Sequence, residues 1–236
     1  MKGIFRIKSW IGVLAIALFG SMFTHCSKDP TSEETGIRLR FIHLSPDAGS
    51  IQFKLNDQNA YTPALAYRDT TTYLSFEGGT YNVSVALGST VPINTIIDFI
   101  PTISYSLFAV DSSGKLKMSI IKDDLSIPSI PLRAKVRFFN FSPDSGGLTL
   151  RAVSNSDTLL ISTGRTFNDV NNSGALANFQ LIPSNVYDLL LYSGTKLLTK
   201  LPVQPLLNYK IYTIYARGTV AGAANQAISI GVIANN

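Results

Sequence analysis

Short runs of alternating apolar and polar residues fill most of the chain. Ile37, Leu39 and Phe41 alternate with Arg38 and Arg40, and Ile51, Phe53 and Leu55 with Gln52 and Lys54. A period of two makes a strand with one buried and one wet face. The same texture predicts strands over 71–76, 80–87, 93–99, 103–110 and 116–121. It predicts more over 159–162, 176–182, 186–192, 196–201, 209–215 and 227–232. Gly78-Gly79, Ser113-Gly114 and Ser193-Gly194 separate strands as turns. Past the N-terminal region, no stretch keeps a 3.6-residue period over three turns. The fold class is therefore all-β, and many short strands with turns about every ten residues predict β-sandwiches.

An internal repeat sets the number of sandwiches. Arg40-Phe41-Ile42-His43-Leu44-Ser45-Pro46-Asp47 aligns with Arg137-Phe138-Phe139-Asn140-Phe141-Ser142-Pro143-Asp144 at an offset of 97, without a gap. The match continues with Ile51 over Leu148, Phe53 over Leu150 and Lys54 over Arg151. Each copy reads as strand, turn, strand. In the Ser-Pro-Asp-x-Gly turn, Pro pre-sets φ, the Ser and Asp side chains bond nearby amides, and Gly accepts a positive φ. Two copies predict two tandem immunoglobulin-like sandwiches, over 37–124 and 134–236. The linker is expected at 125–133, where Pro128 and Pro131 break the pattern.

Phe41-x-His43-x-Ser45-Pro46-Asp47-Ala48 followed by an alternating strand resembles the bacterial family called domain of unknown function 4397. The resemblance is read over both copies, so over most of the chain past the N-terminal region. The second copy departs from it, with Asn140 for His and Ser145 for Ala. Both copies have Gly, at 49 and 146, where the family usually has Pro. The resemblance implies extracytoplasmic immunoglobulin-like domains, often paired and often on lipoproteins. It implies no activity.

The N-terminus supports an exported protein. Lys2, Arg6 and Lys8 precede an uncharged stretch over 9–25, and Cys26, the only cysteine, follows it. A basic start and a short apolar segment are the layout of a secretory signal. A cysteine directly after it resembles a bacterial lipoprotein signal, whose cysteine is acylated, with palmitate for example, and becomes the mature N-terminus. His25 stands where such signals carry a small residue. The alternative is a signal-anchor helix, although a span needs about 20 apolar residues. The expected organisation is thus a signal peptide over 1–25 and the lipidated Cys26 with a polar tether over 26–36. Acidic residues in that tether resemble the surface-export signal of some Gram-negative lipoproteins. The expected place is the cell envelope, lipid-anchored in the outer membrane and surface-exposed.

This reading changes the charge. The whole chain carries +5, but without Lys2, Arg6 and Lys8 there are 17 basic residues against 15 acids. That balance gives no basic patch of the kind nucleic acid requires, so no nucleic-acid partner is expected. The expected partners are the membrane, through Cys26, and an extracellular protein or glycan.

Candidate chemistry is sparse. His43 is the only histidine past the signal, and a Ser-His-Asp triad or a metal site would need it. Its repeat partner is Asn140, which can hydrogen-bond but cannot transfer protons in the same way. His43, Ser45, Pro46 and Asp47, with Asn140, Ser142, Pro143 and Asp144, are accordingly read as structural turn residues. Asp47 and Asp144 each stand alone in their turn, whereas calcium takes six to eight oxygens. No catalytic residue, metal or cofactor is expected. Asp69-Thr70-Thr71 and Asp157-Thr158-Leu159 resemble a short bacterial O-glycosylation acceptor.

These readings make the chain a non-catalytic surface binding module. The alternative is a structural or assembly part of a surface complex, such as a pilus or a nutrient-uptake system, and a hydrolase stands third. An exposed aromatic patch, drawn from tyrosines such as Tyr187, Tyr192, Tyr209, Tyr212 and Tyr215, would favour the binder. An open edge strand without charge or Pro would favour assembly. A pocket joining His43 to two carboxylates would favour the enzyme.

Overall fold

The structure, a computed structural model, describes residues 36–112, 114–155 and 157–236. Cys26, the signal and nearly all of the tether lie outside the described residues. The described chain forms one compact unit.

Alternation sorts the first eight strands into two facing sheets. They are β1 (Gly36–His43), β2 (Ile51–Leu55), β3 (Gln58–Asn59), β4 (Leu74–Glu77), β5 (Gly79–Leu87), β6 (Thr90–Phe99), β7 (Ser104–Ser112) and β8 (Lys115–Asp123). One sheet has the order β4-β1-β7-β8, the other β3-β2-β5-β6. Leu39, Phe41, Phe53, Val83, Val85, Phe99 and Leu107 close the core between them. The second half has β9 (Arg133–Asn140), β10 (Leu148–Val153), β11 (Thr158–Arg165), β12 (Gln180–Pro183), β13 (Asn185–Ser193), β14 (Lys196–Leu206), β15 (Ile211–Arg217) and β16 (Ser229–Ala234). Its sheets run β12-β9-β15-β16 and β11-β10-β13-β14, around Val136, Phe138, Leu150, Leu189, Leu191 and Ile214. The molecule is all-β, built as two immunoglobulin-like sandwiches.

Strand registers agree between the halves. The parallel pair β1–β7 sets Arg38 against Ser104, and β9–β15 sets Lys135 against Ile211. Tyr81 donates its hydroxyl to the carbonyl of Glu77 and Tyr187 to that of Pro183, each at 2.9 Å. The Tyr105 hydroxyl accepts from the amide of Ile100 and the Tyr212 hydroxyl from that of Leu207. These tyrosines belong to the scaffold. Each places an apolar ring beside the core and hands its polar end to a backbone group.

Three expectations need correction. First, residues 176–182 do not form one strand. A 3₁₀ turn, Gly174–Ala177, takes up its start, preceded by another at Asp169–Asn171, and β12 begins only at Gln180. At the earlier turn Arg165 grips Asp169 through two hydrogen bonds of 2.8 and 2.7 Å. Second, β14 runs on to Leu206 through Pro202 and Pro205, which an edge strand tolerates. Third, β1 and β9 have no wet face at their C-terminal ends. Arg40, Ile42, Arg137 and Phe139 are buried as fully as the core side chains they alternate with.

Candidate functional site

The second buried face exists because the sandwiches pack on each other. Ile42, Leu44, Phe108, Val110 and Ile121 of the first half meet Phe139, Phe141, Val170, Tyr215 and Ile233 of the second in a third apolar core. Phe108 is its centre, 4.9 Å from the Phe141 ring and 5.9 Å edge-on to Phe139. Fully burying one such side chain contributes about 1.5–3 kcal/mol, so the cluster binds the halves firmly. Largely the same positions of each half face the seam. Ile42 and Leu44 have the repeat partners Phe139 and Phe141, Phe108 matches Tyr215 along β7 and β15, and Ile121 matches Ile233 along β8 and β16.

Polar groups close one end of the seam. Arg137 and Asp123 form an ion pair with both side chains fully buried. The guanidinium lies 4.3 Å from the Phe179 ring centroid, and its Nε donates to Thr213 Oγ1 at 2.9 Å. The other Asp123 oxygen accepts from Tyr73 and Ser106, each at 2.7 Å. Burial, with the Asp123 charge beside it, pushes the Tyr73 phenol up to about 12. Asn235 joins the network by donating to the Tyr73 hydroxyl at 3.3 Å and accepting from Thr213 at 3.1 Å. Along the flank, Ser119 on β8 donates to Asn168 at 2.6 Å and accepts from Asn171 at 3.2 Å. Elsewhere along the seam, Gln226 donates to the carbonyl of Pro46 at 2.9 Å.

A cavity of about 580 Å³ opens where the longer β11–β12 connection passes β8. Ile121, Val170, Ala177 and Phe179 form its apolar side; Lys122, Asp124 and Asn178 are its polar residues. An adjoining hollow of about 530 Å³ shares those three and adds Arg38, Ser104 and Asp123. Lys135 donates to Asp124 at 2.8 Å and holds its carboxyl down at about 2, so the carboxylate stays ionised as one half of an ion pair. The volume suits a small ligand, and interfaces between packed units are where such sites occur.

The turn residues lie away from this cavity. The His43 ring is fully buried, its Nδ1 accepting from the Ser45 amide at 3.3 Å and its Nε2 bonded to the Gly49 carbonyl at 2.8 Å. Asn140 repeats both contacts, accepting from the Ser142 amide at 2.9 Å and donating to the Gly146 carbonyl at 3.2 Å. Burial pushes the His43 imidazole below its ordinary value, with the Gly49 hydrogen bond opposing. Ser45 and Asp111 also meet here, at 3.1 Å, but the serine hydroxyl faces the carboxylate rather than the imidazole. Pro46 offers its carbonyl to Gln226, and Asp47 stands at the surface beside the same side chain. Ser142 is buried, Pro143 is half-buried, and Asp144 accepts from the amides of Val220 and Ala221 at 2.7 and 3.0 Å, capping the β15–β16 loop.

Sequence reasoning missed the Arg165–Asp169 clamp, the Arg137–Asp123 pair and the capping role of Asp144. One signal was present: Tyr67-Arg68-Asp69 and Phe167-Asn168-Asp169 are a further repeat, an aromatic two places before an aspartate. Both aspartates accept from the amide three residues earlier, Asp69 from Ala66 and Asp169 from Thr166. Thr70 and Thr158, of the two acceptor-like tripeptides, are both exposed. These five tyrosines do not form the exposed aromatic patch that would favour a binder. Tyr187, Tyr212 and Tyr215 are buried, Tyr192 is half-buried and Tyr209 is exposed.

Fold and seam define an all-β protein of two sandwiches fused along matched faces. Residues 37–151 match the family model described as Domain of unknown function (DUF4397). The match covers the first sandwich and reaches into the second as far as β10, which is shorter than the resemblance read over both copies. No curated protein matches the chain. Solved structures it is similar to include a fimbrial assembly protein from Parabacteroides distasonis ATCC 8503, at 10% identity and a TM-score of 0.24, covering 84% of this chain and 98% of that one. Another, from the same organism and provisionally described as a cell adhesion protein, has 8% identity and a TM-score of 0.21, covering 85% and 98%. At these scores neither bears on role.

Proposed function

We propose that this chain is a non-catalytic binding module, held on the outer membrane of a Gram-negative cell by a lipid on Cys26, with the seam cleft as its binding element. The composite cleft carries this reading. Its walls come from both halves, and a buried ion pair and a phenylalanine cluster hold them in fixed relation. A pre-formed site of that kind spends little binding energy on ordering itself. Catalysis has less support, because both His43 nitrogens are committed to backbone groups and the Ser45 hydroxyl faces away from the imidazole.

Two measurements test the reading. Wild-type protein should fractionate with membranes and Cys26→Ala should not; soluble, unacylated wild type would sink the anchor. Soluble peptides and oligosaccharides are then screened by thermal shift. Asn178→Arg fills the cleft from an exposed position and should weaken a true ligand at least about tenfold, the size of one lost contact of about 1.4 kcal/mol. A ligand indifferent to that change, or one that is cleaved, contradicts the proposal.

One observation favours assembly by strand addition as a second reading. β6 is an edge strand with one proline, Pro92, near its start; from Ile93 to Phe99 it has none, Asp98 is its only charge and Ile96 is exposed. Its counterpart β14 is protected by Pro202, Pro205, Lys196 and Lys200.

A further inference from the structure

The seam contains two matched arginines and one carboxylate. Arg40 and Arg137 are repeat partners, and both stack on aromatic rings at matched positions: Arg40 lies 4.1 Å from the Tyr73 centroid, Arg137 4.3 Å from that of Phe179. Arg137 has the buried Asp123 as its counter-charge and Thr213 for its Nε. The position matching Asp123 in the second half is Asn235, since β7–β8 pairs Ser104 with Asp123 and the Asn235 amide donates to Ile211, the match of Ser104. The position matching Thr213 is Ser106, whose hydroxyl is turned to Asp123 instead. Arg40 therefore lacks both acceptors that its counterpart has. Its Nε and Nη1 are buried without a protein partner, and the residue is 7% exposed.

A guanidinium keeps its charge under such conditions. Burial pushes the Arg40 pKa down, and the neighbouring Arg137 adds to that, while Tyr73 and Asp123 oppose. A buried ion without a hydrogen-bonded counter-ion is costly, and the face of a tyrosine ring offsets only part of that cost. We propose that Arg40 forms a seam site for a small inorganic anion of chloride size, which takes the place of the carboxylate absent at Asn235. The site lies outside the cleft described above and does not depend on that cleft's ligand.

Thermal unfolding of the mature protein at constant ionic strength tests this, with chloride replacing the bulky anion isethionate. A site that binds only the folded state raises Tm with the logarithm of the chloride concentration, by about 5 °C at a hundredfold excess over the dissociation constant. Asn235→Asp supplies the missing carboxylate from within the chain. It should melt higher than wild type in isethionate and show no chloride response. Arg40→Met should also lose the response. A flat wild-type curve, or parallel rises in all three proteins, overturns the proposal. Chloride-35 line broadening reads the site on wild type alone if either variant fails to fold. Broadening that nitrate reverses supports the site, and its absence overturns it.

Discussion

At the scale of single residues, His43 and Asn140 do one job with different chemistry. Each accepts from the amide two residues on and donates to the carbonyl six residues on. His43→Asn should therefore keep the fold and cost at most about 1–1.5 kcal/mol, the scale of one hydrogen bond. His43→Leu should cost more, because the Gly49 carbonyl and the Ser45 amide both lose their partner. Urea titration of the two variants checks the order. Acid should act through the same ring. The folded imidazole titrates below its unfolded value of about 6.5, so its contribution is complete above that pH and is lost as pH falls from there toward the folded value. The slope is at most about 1.4 kcal/mol per pH unit. His43→Asn should flatten this part of the stability–pH curve, and an unchanged curve would mean that the ring is not the group titrating. The bracing role was legible before any coordinates, because the repeat itself substitutes Asn for His. The Asp144 cap was not, because the amides it holds lie 76 and 77 residues away.

At the scale of elements, the strands were legible and their second faces were not. Alternation places β1, β2, β5, β7 and β13 within a few residues. It also assigned Arg38 and Arg40 together to water, which holds only for Arg38. The contrary signal was present in Phe41-Ile42-His43-Leu44 and Phe138-Phe139-Asn140-Phe141, where apolar residues occupy both phases of the strand. A strand apolar on both faces is covered on both. The charged positions on that second face matter most. Arg137→Met leaves Asp123 buried without its cation and should cost about 3–5 kcal/mol, whereas joining it with Asp123→Leu should recover part of that loss. Chemical denaturation of the single and double variants reads the difference. If the double variant were as unstable as the single one, the loss would come from packing around the guanidinium rather than from the stranded charge.

At the scale of the molecule, the third core couples two sandwiches that each have a core of their own. Unfolding of residues 36–236 should follow one transition, coincident by tyrosine fluorescence and far-ultraviolet circular dichroism. Two separated transitions would show that the seam adds little. Residues 37–124 alone would expose Ile42, Leu44, Phe108 and Val110, and they should self-associate in sedimentation where the full chain does not. The seam has a further consequence. Like surfaces meeting at matched positions is the arrangement of a dimer with a two-fold axis. In this protein both partners are one polypeptide, joined across the few residues between Asp123 and Arg133. A short tether of that kind holds its two ends at an effective concentration of about millimolar or more. Pairing between separate copies would fade on dilution, and a cell making few molecules would hold mostly halves. Here the stoichiometry is written into the gene, so a lone molecule has the same complete cleft as one among many.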